Sequence, residues 1–380
     1  MKKYDIAIIG GGPAGSTAAL YLHKAGFDVC LIEKRAFPRE TLCGEFLSKE
    51  VTQNLKDLKL FEKFLLLNPN PISSFKFFYD NGKHIDVDLE FPAFGLKRGN
   101  FDNFLLNCVK EKGIAVFQPS EVREIIREGD TYTLFIDGGM SLQEIYANKI
   151  IGAYGKQNIL DKYLNRSFIY SKSSLNGIKF HFDETLFNGL DKKAIQIYTS
   201  KGIYCGINYV DEKKVTVCFL ENRKESKSNP REQLKTLMRT NKSFGNLFDK
   251  RAEQFINDMT IYGTGNIYFG KRELVVNGIY MIGDSAAVIA PLAGDGIGMA
   301  FQSALLIAEV FQMQRAAGMD NEETEKFYIQ EWKRTFRRRL YIAKLLQDII
   351  LNNYSRKIGF LVVRNFIQLL PKIIRSTRSG

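Results

Sequence analysis

The sequence is poor in the residues that build metal centres, disulfide frameworks and histidine-based catalysis. Its five cysteines, Cys30, Cys43, Cys108, Cys205 and Cys218, are odd in number and scattered, with no pair at metal-ligand or scaffold spacing. No metal site is therefore expected, and a reducing cytoplasmic compartment fits best. None of the three histidines, His23, His84 and His181, lies in a catalytic motif, so no histidine general base is expected. His23 belongs to the first helix and should be exposed. Trp332 is the single tryptophan. No basic-then-apolar leader precedes the first strand, which argues against secretion. In the C-terminal part the longest apolar stretch, Ile358 to Leu370, is short and contains Arg364, so it should not span a bilayer.

Aromatic residues, by contrast, are plentiful: 29 Phe and 17 Tyr among 380 residues. Cores absorb most of such a surplus, and a pocket for a flat or greasy ligand would use the rest. A chain of this length can bury more than one core, which favours two joined domains. The net charge of +12 is concentrated at one end, where Lys333 to Gly380 holds twelve Lys and Arg against the single acid Asp348. From Trp332 onward the pattern is helical, with Leu340, Tyr341, Leu345, Leu346, Ile349 and Ile350, then Ile358, Phe360 to Val363, Phe366, Ile367 and Leu370. Two arrangements stay open: the helices pack over the body with a charged outer face, or they lie on an anionic lipid surface. No recognition module accompanies the charge, so nucleic acid is not an expected partner.

The strongest motif is N-terminal. Tyr4 to Ile9 reads as a buried parallel strand closed by Gly10-Gly11-Gly12-Pro13-Ala14-Gly15. A helix, Ser16 to Ala25, and a second strand, Asp28 to Ile32, follow and end in Glu33 and Lys34. Gly10 permits the tight turn, Gly12 lets the backbone approach a pyrophosphate, and Gly15 lets helix and sheet close up. The unpaired amides of the first turn, with the helix dipole behind them, attract that anion. Glu33 stands where an acid accepts hydrogen bonds from ribose hydroxyls. Strand, glycine turn, helix, strand and acid in this order specify a Rossmann-type dinucleotide site.

A second block lies near residue 280. A strand, Gly278 to Ile282, runs into Gly283-Asp284, then Pro291 and Gly294-Asp295-Gly296-Ile297-Gly298 open a long helix. Together with Arg39-Glu40-Thr41-Leu42-Cys43-Gly44-Glu45 and Arg98 with Phe101-Asp102, these residues resemble the flavoprotein family of p-hydroxybenzoate hydroxylase, geranylgeranyl reductases and flavin-dependent halogenases. The resemblance runs over almost the whole chain. It is specific to the superfamily and poorly specific to one reaction.

That resemblance implies FAD, with NAD(P)H as a transient reductant. The cofactor set it implies is Gly10, Gly12, Pro13, Ala14, Gly15, Glu33, Lys34, Arg98, Val122, Asp284, Pro291, Gly294, Gly296 and Ile297. Arg98 is implied near the phosphates, Val122 near the adenine, and Asp284 at a ribityl hydroxyl. The free amides at Gly294–Gly298 would face the pyrimidine edge of the flavin, where reduction adds negative charge; a helix N-terminus stabilises such a charge by about 0.3–2 kcal/mol. The implied loop past the flavin ring, Arg35 to Ser48, offers Cys43 as a polarisable contact and Glu45 as a proton donor if buried.

Departures from the family bear on the reaction. Hydroxylases carry an Asp-Gly pair where this chain has Tyr154-Gly155. The Tyr-x-Trp-x-Phe-Pro pattern of geranylgeranyl reductases is missing from Tyr204 to Tyr209, and the Trp-x-Trp-x-Ile-Pro segment of halogenases is absent, which makes halogenation the weakest of the three. No second glycine fingerprint marks a separate nicotinamide domain.

The expected fold is α/β: a Rossmann-type FAD-binding domain (1–70, 96–165 and 270–320) interleaved with an antiparallel-sheet substrate domain (71–95 and 166–269). A basic helical C-terminal region (321–380) completes it. Middle strands are expected at Ile178 to Phe182, Ala194 to Tyr198, Gly202 to Tyr209, Lys214 to Leu220 and Ile261 to Tyr268, with a helix at Pro230 to Thr240. The expected activity is FAD-dependent, NAD(P)H-linked hydroxylation of a hydrophobic small molecule. Reduction of an isoprenoid double bond and a non-catalytic lipid-escort role are the alternatives.

Overall fold

The apolar run that opens the chain is the central strand of a parallel sheet. A computed structural model describes residues 2–79, 84–139, 142–225, 228–291 and 294–365, so Phe366, Ile367 and Leu370 of the expected tail pattern lie outside the described residues. Strand Lys3–Ile9 has Val29–Ile32 on one side and Leu142–Gly152 on the other, with Ala115–Phe117 and Ile279–Met281 beyond them. Four successive parallel pairings join these five strands, and Ile6, Ala7, Ile8, Ile150 and Ile151 are fully buried. Parallel pairing puts all their carboxyl ends on one edge, the edge at which open α/β sheets bind ligands. Gly10, Glu33, Gly152 and Gly283 all lie there, with Ile9 and Met281 both in register with Gly152.

The second sheet runs in the order Tyr262–Thr264, Leu175–Asp183, Lys214–Asn222, Ile203–Tyr209, Ala194–Ser200, Asn70–Phe78, His84–Gly95 and Phe46–Leu47. Its two faces differ in chemistry. On Leu175–Asp183, Ile178, Phe180 and Phe182 point into an apolar cluster that also holds Leu234 and Leu237 of helix Pro230–Thr240. Gly177, Lys179 and His181 alternate with them, so they occupy the opposite face. The expected antiparallel arrangement holds except between Ala194–Ser200 and Asn70–Phe78, which pair in parallel. The expected strand Ile261 to Tyr268 is only Tyr262–Thr264, because Asn266 takes a left-handed backbone (φ 52°) and turns Ile267 inward.

Helix Pro13–Lys24 follows the first glycine turn, and helix Gly296–Ala317 packs along it. The latter is the one described helix long and apolar enough to cross a membrane, and most of it is buried within the protein. The C-terminal region begins with helix Asn321–Leu351, whose N-terminus is closed by reciprocal hydrogen bonds between Asp320 and Glu323. Its buried residues Tyr328, Trp332, Phe336, Arg339, Ala343 and Gln347 recur every three to four positions, one face of a helix laid on the body. Helix Asn353–Asn365 follows, and its buried Arg356 donates to the carbonyl of Ser200 on the second sheet.

Candidate active site

At the dinucleotide end, a Cβ on Gly15 would stand 1.8 Å from the carbonyl oxygen of Gly10, so only glycine allows the helix this close to the turn. Above Gly12 the space is open, and the nearest atom to a Cβ built there is Nη2 of Arg39 at 3.8 Å. The Glu33 carboxylate is buried at the strand end and accepts the amides of Gly11 (2.7 Å) and Arg35 (2.9 Å). Lys34 is exposed with Nζ 3.9 Å from Glu121, and Val122 is buried in the strand Glu121–Glu128.

Arg98, implied near the phosphates, makes two hydrogen bonds with the buried carboxylate of Asp102 at 2.7 and 2.8 Å. Arg39 lies 3.4 Å from the same carboxylate and 3.8 Å from Glu33. Its Nε is buried with no hydrogen-bond partner among the described residues. Arg39 is thus the arginine placed over the glycine turn. It opens the Arg39–Glu45 segment, but nothing in its spacing marks it as a phosphate contact.

At the other end, Gly283 (φ 57°) brings the distal motif against the first: a Cβ on it would lie 2.7 Å from Cβ of Ala14. Asp284 is partly exposed beside it, with Lys156 Nζ 4.0 Å from its carboxylate and Arg272 donating to its carbonyl at 3.0 Å. Pro291 is exposed, Ile297 is buried, and Gly294 and Gly296 flank Asp295 where helix Gly296–Ala317 begins. Tyr154, standing in for the family aspartate, points its hydroxyl at Met281 Sδ (3.3 Å) and receives Arg166 at 3.3 Å. Arg166 is fully buried and also donates to Asp161, to the carbonyl of Glu273 and to that of Ser285. The residues fit FAD: the space over Gly12 is open, the Arg39 guanidinium stands over it with its Nε lacking a hydrogen-bond partner among the described residues, and Gly283 of the distal motif lies against Ala14 of the first.

The loop Arg35 to Ser48 lies across the polar face of the second sheet. Leu42 fills the space that Gly177 leaves: a Cβ there would be 2.4 Å from Leu42 Cδ2. Cys43 is half-buried and its sulfur accepts the Glu45 amide at 3.3 Å. Across from it, burial pushes the Cys218 thiol up to about 12.

Glu45 is fully buried, with a left-handed backbone (φ 58°). Its carboxylate gathers four donors: Lys179 Nζ and His181 Nε2 at 2.8 and 2.6 Å, the amide of Arg98 at 2.9 Å, and the hydroxyl of Thr216. Burial alone would raise its pKa, but the hydrogen bond from His181 and the charge of Lys179 outweigh it and hold the carboxyl down to about 2. Lys179 bridges to Glu40 as well, at 2.8 Å. Glu40, Glu45 and His181 stand close enough to share a cation, and the Lys179 ammonium is that cation. In the sequence His181 lacks a catalytic motif, and nothing marks Lys179 or Thr216 as its partners. The signal was there in Lys-Phe-His-Phe, two ionisable residues alternating with buried rings on a strand assigned to the pocket floor.

Beside this cluster lies an apolar wall. Tyr204, Leu220, Ile267 and Val288 are buried together, with Leu42, Leu175, Phe269, Ile350 and Leu351 packed against them. It draws on the loop, the second sheet, the segment after Asp284 and the C-terminal helix.

The chain resembles known proteins over most of its length. It is 25% identical over 343 residues to the 1H-pyrrole-2-carbonyl-[peptidyl-carrier protein] chlorinase of Pseudomonas fluorescens, covering 79% of this chain and 74% of that one. It is 26% identical over 330 residues to the digeranylgeranylglycerophospholipid reductase of Thermoplasma volcanium, covering 82% and 78%. A geranylgeranyl bacteriochlorophyll reductase-like protein of Thermoplasma acidophilum shares the fold with a TM-score of 0.80 at 20% identity, over 95% of this chain and 91% of that one. A flavin-dependent brominase does so with 0.77 at 18%, over 100% and 95%. Residues 3–322 match the pattern described as FAD binding domain, and with Gly283 of the distal motif set against Ala14 of the first glycine turn, the chain belongs to that family of FAD-dependent enzymes.

Proposed function

We propose that the chain is an NAD(P)H-linked FAD monooxygenase that hydroxylates a hydrophobic small molecule. The observation that carries this is the set of four donors that converge on the Glu45 carboxylate. Reduction of an alkene at a flavin needs an acid that can give up a proton. Of the two acids on the flavin-side loop, Glu40 is bridged to Lys179, and Glu45 is a carboxylate that His181 and Lys179 hold down to about 2 against its burial. Hydroxylation asks instead for a dry, apolar wall, as the Leu42, Tyr204, Leu220, Ile267 and Ile350 cluster supplies.

Bound FAD would supply the redox chemistry, accepting a hydride from NAD(P)H and passing electrons to oxygen. With it, one oxygen atom would enter the substrate and the other would leave as water. The protein's share is binding and exclusion. Amides at Gly12–Gly15 and the Arg39 guanidinium would hold the pyrophosphate, Glu33 the ribose, and Asp284 with the N-terminus of Gly296–Ala317 the flavin half. Lys179, His181 and Thr216 pin the Glu45 loop to the sheet, and the apolar wall keeps water from the reacting edge.

A second reading, reduction of an isoprenoid double bond, is favoured by the relatives named digeranylgeranylglycerophospholipid reductase, with the Cys43 thiol as proton source. One experiment separates these chemistries. The purified yellow holoprotein is incubated with NAD(P)H and a panel of lipophilic phenols, polyenes and isoprenoids, with and without oxygen and chloride, and products are weighed by mass spectrometry. A product one oxygen heavier, formed only aerobically, supports hydroxylation. Gain of two hydrogens without oxygen overturns it in favour of reduction, and gain of chlorine overturns both. A holoprotein that binds lipid but consumes no NAD(P)H points to the escort role.

We also propose that the C-terminal helices rest on an anionic lipid surface. Tyr341 (70% exposed) and Leu345 share a face one turn apart, and Tyr354 (78%), Ile358 and Leu361 do the same on the next helix. The cations Arg337, Arg338, Lys344 and Lys357 are exposed beside them. Apolar side chains ringed by cations suit an interface of anionic headgroups.

A further inference from the structure

The turn that opens helix Gly296–Ala317 contains an acid where the flavin chemistry is worst served by one. A dinucleotide whose pyrophosphate lies on Gly12–Gly15 must extend along the sheet edge, and the next helix N-terminus there is that of Gly296–Ala317. Its free amides favour negative charge, and reduction of a flavin adds negative charge. Asp295, immediately before the helix, is fully buried, and its carboxylate does not cap the helix amides. A fixed negative charge inside a low-dielectric turn would cancel much of what the helix offers.

The structure supplies a counter-charge from an unexpected place. Arg339, itself only 4% exposed, donates to Oδ2 of Asp295 at 2.8 Å and to Oε1 of Gln302 at 2.6 Å. The hydroxyl of Ser48, at the end of the flavin-side loop, donates to Oδ1 at 3.2 Å. Arg339 sits in helix Asn321–Leu351, beyond residue 322 where the family match ends. It is fixed there by its neighbours on the buried face, Phe336 and Ala343.

We infer that Arg339 is a positioning residue that sets the reduction potential of the bound flavin, by neutralising Asp295 at the N-terminus of the flavin-facing helix. This rests on FAD binding at the two glycine turns and is independent of which substrate is oxidised or reduced. The C-terminal helix thereby acts on the flavin electrostatically as well as covering the body.

The test is the midpoint potential of bound FAD, measured without substrate by slow reduction against a reference dye, in wild type, R339M, R339K, D295N and R339M/D295N. Arg339→Met should lose about tenfold in preference for reduced over oxidised flavin, which is about 30 mV for a two-electron couple. Arg339→Lys, which keeps the charge, should stay near wild type. Asp295→Asn should shift the potential upward, and the double variant should recover most of what Arg339→Met loses. A yellow, folded R339M with the wild-type potential overturns the inference, as does a double variant no higher than R339M, or an R339K as low as R339M. If R339M does not fold, R339Q takes its place: a lowered potential that R339Q/D295N restores supports the inference, and an unmoved one sinks it. A wild-type protein that takes up no FAD would indict the cofactor site instead.

Discussion

Glu45 adopts a left-handed backbone that a side chain other than glycine rarely takes, and four donors converge on its carboxylate. Those donors come from Arg98, Lys179, His181 and Thr216, all far away along the chain. The sequence therefore revealed an acid on a loop but not its state of ionisation. Because its folded pKa of about 2 lies below the ordinary 4.5, Glu45 stabilises the fold above that ordinary value. The contribution is lost as pH falls from about 4.5 toward 2. Replacing it by Gln leaves Lys179 buried against Glu40 alone, and breaking such a buried pair costs about 3–5 kcal/mol. The difference in thermal midpoint between wild type and E45Q should be wide at neutral pH and shrink across that acid window; a constant difference would mean that Glu45 is not ionised. The glycine fingerprint was legible because its demands are local. Gly15→Ala meets a carbonyl at 1.8 Å and should lower the midpoint even without cofactor, whereas Gly12→Ala opens onto Arg39 at 3.8 Å and should fold normally. Titration followed by flavin fluorescence should show Gly12→Ala binding FAD about tenfold more weakly, a loss of about 1.4 kcal/mol.

At the scale of elements, periodicity reported which segments were strands and helices but not which partners they chose. Pro230–Thr240 falls where its pattern put it, with Asn229 capping it through the amide of Glu232. The parallel pairing of Ala194–Ser200 with Asn70–Phe78 was invisible, since a strand alternates alike whichever way its neighbour runs. The same holds for the tail. Its helical repeat was plain, but which face met the body depended on surfaces supplied by Met281 and Asp295. Tyr328 donates to the carbonyl of Met281 at 2.5 Å and stacks edge-on against Tyr280, so the helix leans directly on the strand that ends in Gly283-Asp284. Phe336 is fully buried between that anchor and Arg339. Truncating it to Ala should cost about 3–5 kcal/mol by the usual penalty for an emptied aromatic site. Chemical denaturation of the holoprotein would measure it, and a loss below about 1 kcal/mol would show that the helix is only loosely laid on the body.

For the whole molecule, the uneven charge and the exposed apolar stripe make one joint prediction. The positive excess lies in the tail, which the fold splits into buried and outward cations: Arg339 and Arg356 are used internally, while Arg337, Arg338, Lys344 and Lys357 face outward. Cations near an anionic leaflet contribute about 1 kcal/mol each, over a range set by a Debye length of about 10 Å at 0.1 M salt. The apolar side chains between them add a term that salt does not weaken. Full-length protein should therefore sediment with vesicles containing phosphatidylserine at low salt and be largely released at high salt, with little binding to neutral phosphatidylcholine vesicles. Replacing Leu345 and Ile358 together by Asp, both about half exposed (48% and 51%), should abolish binding while leaving the flavin spectrum unchanged. Retained binding in that variant would make the attraction purely electrostatic. No sedimentation of wild type at low salt would leave the outer face as ordinary solvated surface, and a substrate drawn from solution instead of from a bilayer would then be the better match to the apolar wall beneath Ile350 and Leu351.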